Sequence, residues 1–234
     1  MECQKIEIVG VAGTGKSTLA RALADRVPGN RIADSLHTRD SSHWAYVAHS
    51  VPRVLPLLAR SARVRPLLDW EETKFIVYVT EWRRFLRRDC RGDAGLIVLD
   101  QGPIFALARL LWGRKPVTAT REFDRWLDEQ VAAWSVDLDG IAWLVAPEEV
   151  LLGRINEREQ DHEAKGRSAR EGFDVLQAHQ NAYGALFERL EALGRPPILT
   201  FDTSVMSPVR IAEEIEGVLG GDPTHGPVRA GPSR

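Results

Sequence analysis

The 234-residue sequence contains only two cysteines, Cys3 and Cys90. Two thiols make no disulfide framework, so the fold is expected to rest on its core, and a cytoplasmic location is the simpler expectation. No apolar run approaches the roughly 20 residues that a membrane-spanning helix needs. The opening residues also lack the apolar stretch of a secretory signal, so no membrane partner is expected. The formal net charge is −2, which leaves no overall field to attract nucleic acid, and no recognition module for it is visible. The histidines show no metal-ligand spacing beyond His37 and His43, so no zinc site is expected.

What is present is an ordinary apolar fraction, 44% of residues, arranged as alternating strand and helix patterns. Residues 5–9 are rich in Ile and Val and run into a glycine-rich turn, with a helical pattern over 16–26. A short second strand is expected at 31–34, and buried strands at 94–100, 140–145 and 197–202. Helical patterns are expected over much of 41–89, over 103–112 and 118–134, from Pro147 onward, over 168–193 and from Ser207-Pro208 to about 219. In the helix that ends near 89, Trp70, Thr73, Val77, Trp82, Phe85 and Leu86 are expected to share the apolar side. Strands alternating with helices imply a parallel sheet covered on both faces. The expected fold is therefore α/β, a three-layer αβα domain around a central parallel sheet of about five strands. It should occupy residues 1–219. The tail, 220–234, is rich in Gly and Pro and is expected to be disordered.

The most specific feature is Gly10-Val11-Ala12-Gly13-Thr14-Gly15-Lys16-Ser17. It satisfies G-x-x-x-x-G-K-[ST] between a strand and a helix, the context that the motif requires. Glycines at Gly10, Gly13 and Gly15 let backbone N–H groups, with those of Ala12 and Thr14, turn inward toward phosphate oxygens. The helix N-terminus adds positive potential. Lys16 can reach the β- and γ-phosphates, and the Ser17 hydroxyl can coordinate Mg²⁺. Thr14 and Thr18 are helpers at most. The expected cofactors are ATP and Mg²⁺. A GTPase would need an Asn/Thr-Lys-x-Asp base reader; Thr73-Lys74-Phe75-Ile76 lacks the Asp and sits in a helical stretch.

Three blocks in order resemble the nucleoside and nucleotide kinases of the thymidylate kinase and deoxynucleoside kinase group. These are the phosphate loop, the strand Leu96-Ile97-Val98-Leu99-Asp100 with Gln101-Gly102, and the stretch from Leu144 through Pro147 to Arg154, with Arg158 four residues on. The resemblance implies a P-loop kinase with a helical acceptor region over about 35–91 and a small lid over about 154–170. It also implies roles. Asp100 would accept a hydroxyl proton or hold Mg²⁺, the alternative being that it caps the next helix. Arg154 would lie against the adenine ring and Arg158 would reach the transferring phosphoryl group. Asp34 competes with Asp100 for the role of base, and His37 and Arg83 would face the acceptor. Gln101 stands where the group usually carries an arginine, which suits a hydroxyl-rich acceptor at least as well as a phosphate. Trp44 and Trp70 are the tryptophans placed to stack on an acceptor.

The resulting expectation is transfer of the ATP γ-phosphoryl group to a small-molecule acceptor, foremost a nucleoside or nucleotide. The first alternative is a sugar or natural-product hydroxyl, antibiotics included. The alternative of another class is a nucleotide-binding switch that hydrolyses slowly. A homodimer formed through the helices around Trp112 to Trp134 is conceivable.

Overall fold

A computed structural model describes residues 3–33, 48–49, 52, 55, 59, 70–89, 95–112, 120–157, 164–166 and 168–220. Among them a five-stranded sheet has the order β2-β3-β1-β4-β5, and every pairing is parallel. The strands are β1 (Gln4–Gly10), β2 (Arg31–Ile32), β3 (Leu96–Asp100), β4 (Gly140–Val145) and β5 (Ile198–Asp202). The helices are α1 (Lys16–Arg26), α2 (Trp70–Asp89), α3 (Pro103–Trp112), α4 (Arg121–Asp137), α5 (Glu148–Asn156), α6 (Ala169–Ala192) and α7 (Pro208–Leu219).

The two faces of the sheet read off the period-2 alternation of the strands. Ile6, Ile8 and Val98 pack with Leu19 and Leu23 of α1 and Ile211 and Ile215 of α7. Val9, Ile97 and Leu99 point the other way, onto Ile76 and Trp82 of α2, Ile104 of α3, Phe123 of α4 and Tyr183 of α6. Three layers result, as the alternating sequence requires. The strand register aligns the ends of the strands: Gly10 pairs with Leu144, Ile8 with Asp100 and Val145 with Asp202. Four strands thus end at one edge.

Local chemistry sets most boundaries. Thr120, Ser168 and Ser207 cap α4, α6 and α7 with their side chains, and Glu171 closes a capping box with Ser168. The helix expected from 118 starts instead at Arg121, because Thr120 accepts from the Phe123 N–H. The expected face of α2 also shifts. Ile76, Val79, Trp82 and Leu86 are the buried residues, whereas Thr73 and Val77 are only half-buried. The side chains of Trp70 and Phe85 lie outside the described set. No described helix is long and apolar enough to cross a membrane.

Trp134 ties α4 to α2. Its ring is fully buried and its Nε1–H donates to the Val79 carbonyl at 3.1 Å. Trp134→Ala removes that bond and leaves a large void, so it should cost about 3–5 kcal/mol of stability. A urea unfolding midpoint measures this, and a loss under about 1 kcal/mol would mean the helical layer does not depend on this ring.

Candidate active site

The site starts from what α1 lacks. Its N-cap is Gly15 at φ 86°, with no side-chain hydrogen bond. The first N–H groups of a helix have no partner within the helix, and here no side chain covers them. They face the loop that runs from Gly10. That loop passes so close to α5 that a Cβ on Gly13 would lie 2.9 Å from the Leu151 carbonyl oxygen, and Gly13 itself has φ 86°. Thr14 is buried, and its hydroxyl donates to the Val11 carbonyl at 2.8 Å, which pins the loop from within. Lys16 Nζ donates to the carbonyls of Gly10 at 2.9 Å and Val11 at 3.0 Å. Its ammonium is therefore folded over the start of the loop. Ser17 and Thr18 are exposed. A glycine loop, a helix start without a side-chain cap and a lysine ammonium together form a cradle of the kind that suits an anion.

A cavity of about 470 Å³ opens beside the cradle, between Gly13, Leu19, Arg154, Thr203, Met206 and Ile211. Arg154 builds its rim. One guanidinium nitrogen donates to Gly13 O (3.2 Å) and Thr203 Oγ1 (3.0 Å), and the other to Thr203 O (2.9 Å). The arginine thus ties the phosphate loop to the turn after β5, and its planar face is available to an aromatic ring.

Asp100 ends β3, one strand from β1. Continuing the alternation after Leu96 and Val98, its side chain belongs to the face that carries α1. Its Oδ1 is buried and has no hydrogen-bond partner. The cap of the following helix comes from elsewhere. Glu7 of β1, fully buried, accepts the N–H of Ile104 at 2.9 Å and of Phe105 at 2.8 Å, with the Gly102 N–H as a further donor. These are the N-terminal N–H groups of α3. Burial pushes the Glu7 carboxyl up to about 8, against the pull of those three donors and with a small push from the Asp100 charge. Tyr183 of α6 lies near Glu7 and the Gly10 backbone, and burial raises its hydroxyl far above the usual range. Gln101, next after Asp100, sits at φ 61°, a left-handed conformation that costs a side-chain-bearing residue about 1 kcal/mol or more. Its side chain is exposed.

Among the residues expected at the site, the loop from Gly10 to Ser17 with Thr18, Arg154, Asp100 and Gln101 converge at one edge of the sheet. Asp34, His37 and Arg158 lie outside the described residues, as do 159–163 and 167 of the expected lid. Arg83 is a correction. It binds Asp137 at the C-terminus of α4, beside Arg87, which contacts the same carboxylate at 3.0 Å. Burial opposes the charge on Asp137, but the Arg83 and Arg87 hydrogen bonds prevail and hold its carboxyl below the usual range. Asp137 lies just before Asp139, which receives the Lys5 N–H at the start of β1. That is the opposite edge, roughly 16 Å of strand from Gly10. Arg83 therefore serves helix packing away from the cradle.

Glu7, Thr203 and Tyr183 are not evident from sequence motifs. The signal for Glu7 was its position: a carboxyl within a strand that must be covered on both faces has nowhere to meet water.

The fold is that of the P-loop kinases. Solved structures that share it include deoxyadenosine kinase from M. mycoides with bound dATP, at 15% identity and a TM-score of 0.53, covering 93% of this chain and 100% of that one. Thymidylate kinase from Candida albicans aligns at 13% identity and a TM-score of 0.55, covering 96% and 94%. No family model matches the sequence, and no curated protein does.

Gly13→Ala tests the cradle. The added Cβ meets the Leu151 carbonyl and the φ is wrong for alanine, so affinity for a non-hydrolysable ATP analogue should fall about tenfold, the worth of 1.4 kcal/mol. Calorimetric titration measures it, and wild-type affinity would show that phosphates bind elsewhere.

Proposed function

We propose that the protein is a phosphotransferase that moves the γ-phosphoryl group of ATP to a small acceptor, foremost a nucleoside or nucleotide. The observation that carries the reading is the pairing of an uncapped phosphate cradle with a buried, unpartnered Asp100 oxygen one strand away. A slow hydrolase needs only the cradle. The shared fold with deoxyadenosine kinase and thymidylate kinase supports the nucleoside or nucleotide class.

The work is divided among several residues. The loop N–H groups and Lys16 hold the donor phosphates, and Arg154 borders the space for the base. Ser17 and Asp100 offer the hard oxygen donors that Mg²⁺ prefers, and the unpartnered Asp100 oxygen fits that use. When bound, the ion would neutralise charge that develops on the phosphates. In the reaction the bond from the γ-phosphorus to its bridging oxygen breaks, and a bond from the acceptor oxygen to that phosphorus forms. A hydroxyl acceptor releases its proton to a carboxylate, Asp100 or Asp34; a phosphate acceptor has none to release. Positioning and electrostatics supply the rate enhancement. Arg158 is proposed to cover the transferring group. The neutral Gln101 suits a hydroxyl-bearing acceptor at least as well as a phosphate, so sugars and natural products remain in the same class of reaction.

The test is ADP release with Mg²⁺-ATP across nucleosides, nucleotides, sugars and aminoglycosides. At least one nucleoside or nucleotide should raise ADP above the acceptor-free rate. If none of the panel does, the kinase reading fails and the slow-switch reading replaces it. With that acceptor, Lys16→Ala should abolish transfer. Asp100→Asn should lower kcat about a hundredfold or more, the scale of losing a transition-state charge partner, with ATP affinity nearly unchanged. Full activity in the Asp100 variant would move the base role to Asp34.

A further inference from the structure

The carboxyl of Glu7 has no part in the transfer chemistry, yet it occupies a costly position. It sits on the central strand only three residues before Gly10 and is fully buried. It receives the Ile104 and Phe105 N–H groups at 2.9 and 2.8 Å. The residue at the start of α3 that could have capped it locally is Gly102, which has no side chain. A side chain there would displace the carboxyl: a Cβ would lie 2.6 Å from Glu7 Cδ. Pro103 then supplies no N–H at the first helical position. The sequence around α3 is thus shaped to admit a cap from another strand.

We infer that Glu7 is a positioning residue: by tying the first turn of α3 to β1, it holds the Asp100-Gln101-Gly102 turn in register with the phosphate loop that the same strand feeds. The inference rests on the phosphotransferase reading. Its physical basis is connectivity. Only Gln101 and Gly102 separate Asp100 from α3, and Gln101 is held at φ 61°. A strained link of that kind persists only if both ends are fixed. Strand pairing fixes the Asp100 end through Ile8, and Glu7 fixes the helix end. The charged and titratable groups that bear on the carboxyl are Asp100 from β3 and Tyr183 from α6.

Two variants test this, one from each side of the contact. Glu7→Gln keeps the volume but offers one acceptor oxygen where two oxygens now serve separate N–H groups. Gly102→Ala leaves the carboxyl in the chain and displaces it by the clash. With the acceptor identified from the panel, each variant should lower kcat about a hundredfold, the effect of an ångström-scale misplacement, while KM for ATP stays within about twofold, since the cradle is intact. The wild-type kcat should also bend near pH 8, where Glu7 ionises, and the bend should vanish in Glu7→Gln. The sign for stability comes from a folded pKa raised above the unfolded one. The contribution of Glu7 is full at low pH and is lost as pH rises from 4.5 to about 8. The wild type should therefore lose stability relative to Glu7→Gln across that window. Wild-type kcat in either folded variant, with the bend near pH 8 retained in Glu7→Gln, would overturn the positioning role and leave the phosphotransferase reading standing. A wild type that phosphorylates nothing on the panel would remove both.

Discussion

β1 pairs in parallel with β3 on one side and with β4 on the other, and its last residue is the first glycine of the phosphate loop. This double pairing is the constraint on which the site depends. It brings the loop, the acid that ends β3 and the strand that leads to Arg154 to one edge of the sheet. Ligands of open α/β sheets bind at the C-terminal edge because helix N-termini and strand-end side chains converge there. In this protein the same strand also reaches sideways. Glu7 supplies from β1 the cap that α3 lacks, so the first turn of α3, which begins three residues beyond Asp100, is referred to the strand that presents the phosphate loop.

The helix N-termini illustrate how chemistry separates structure from function. α4, α6 and α7 satisfy their first N–H groups with Thr120, Ser168 and Ser207. α3 uses Glu7. α1 begins with Gly15 and uses no side chain. A helix start that no side chain caps, beside a lysine and a strained glycine loop, suits an anion. Asp100 shows the complementary pattern. Glu7 has taken the capping role open to it, and one of its buried oxygens is left without a partner. A helix start without a side-chain cap and a buried acceptor without a partner, one strand apart, suit phosphoryl transfer, and the second is what a well-packed interior avoids.

Much of this was legible in the sequence. The helices over 16–26 and 103–112 and the strand over 140–145 have the bounds that periodicity and turn residues indicated. The phosphate loop was evident because its residues are local and its mechanism fixes their types. Arg83 misled because charge on a helix does not state which end of the sheet that helix faces; Asp137, its partner, lies 54 residues away. The apolar face of α2 was displaced for a similar reason. Trp82 and Leu86 marked it correctly, but Ile76 and Val79, not Val77 and Thr73, meet the layer below. Nothing in the residues around Glu7 marks it as the cap of a helix that starts almost a hundred positions later. Its role became visible only when β1 proved central, with no solvent on either face. Contacts made across strands, not motifs, carried what the sequence withheld.

The central claim is that the phosphate leaves the loop attached to another molecule. The direct measurement is to follow ATP labelled at the γ-phosphorus in the presence of Mg²⁺ and the acceptor that the panel identifies. The account predicts that the label appears on the organic acceptor in step with ADP, and that little of it is released as inorganic phosphate. Label found only in inorganic phosphate, at a rate indifferent to acceptor, would contradict it.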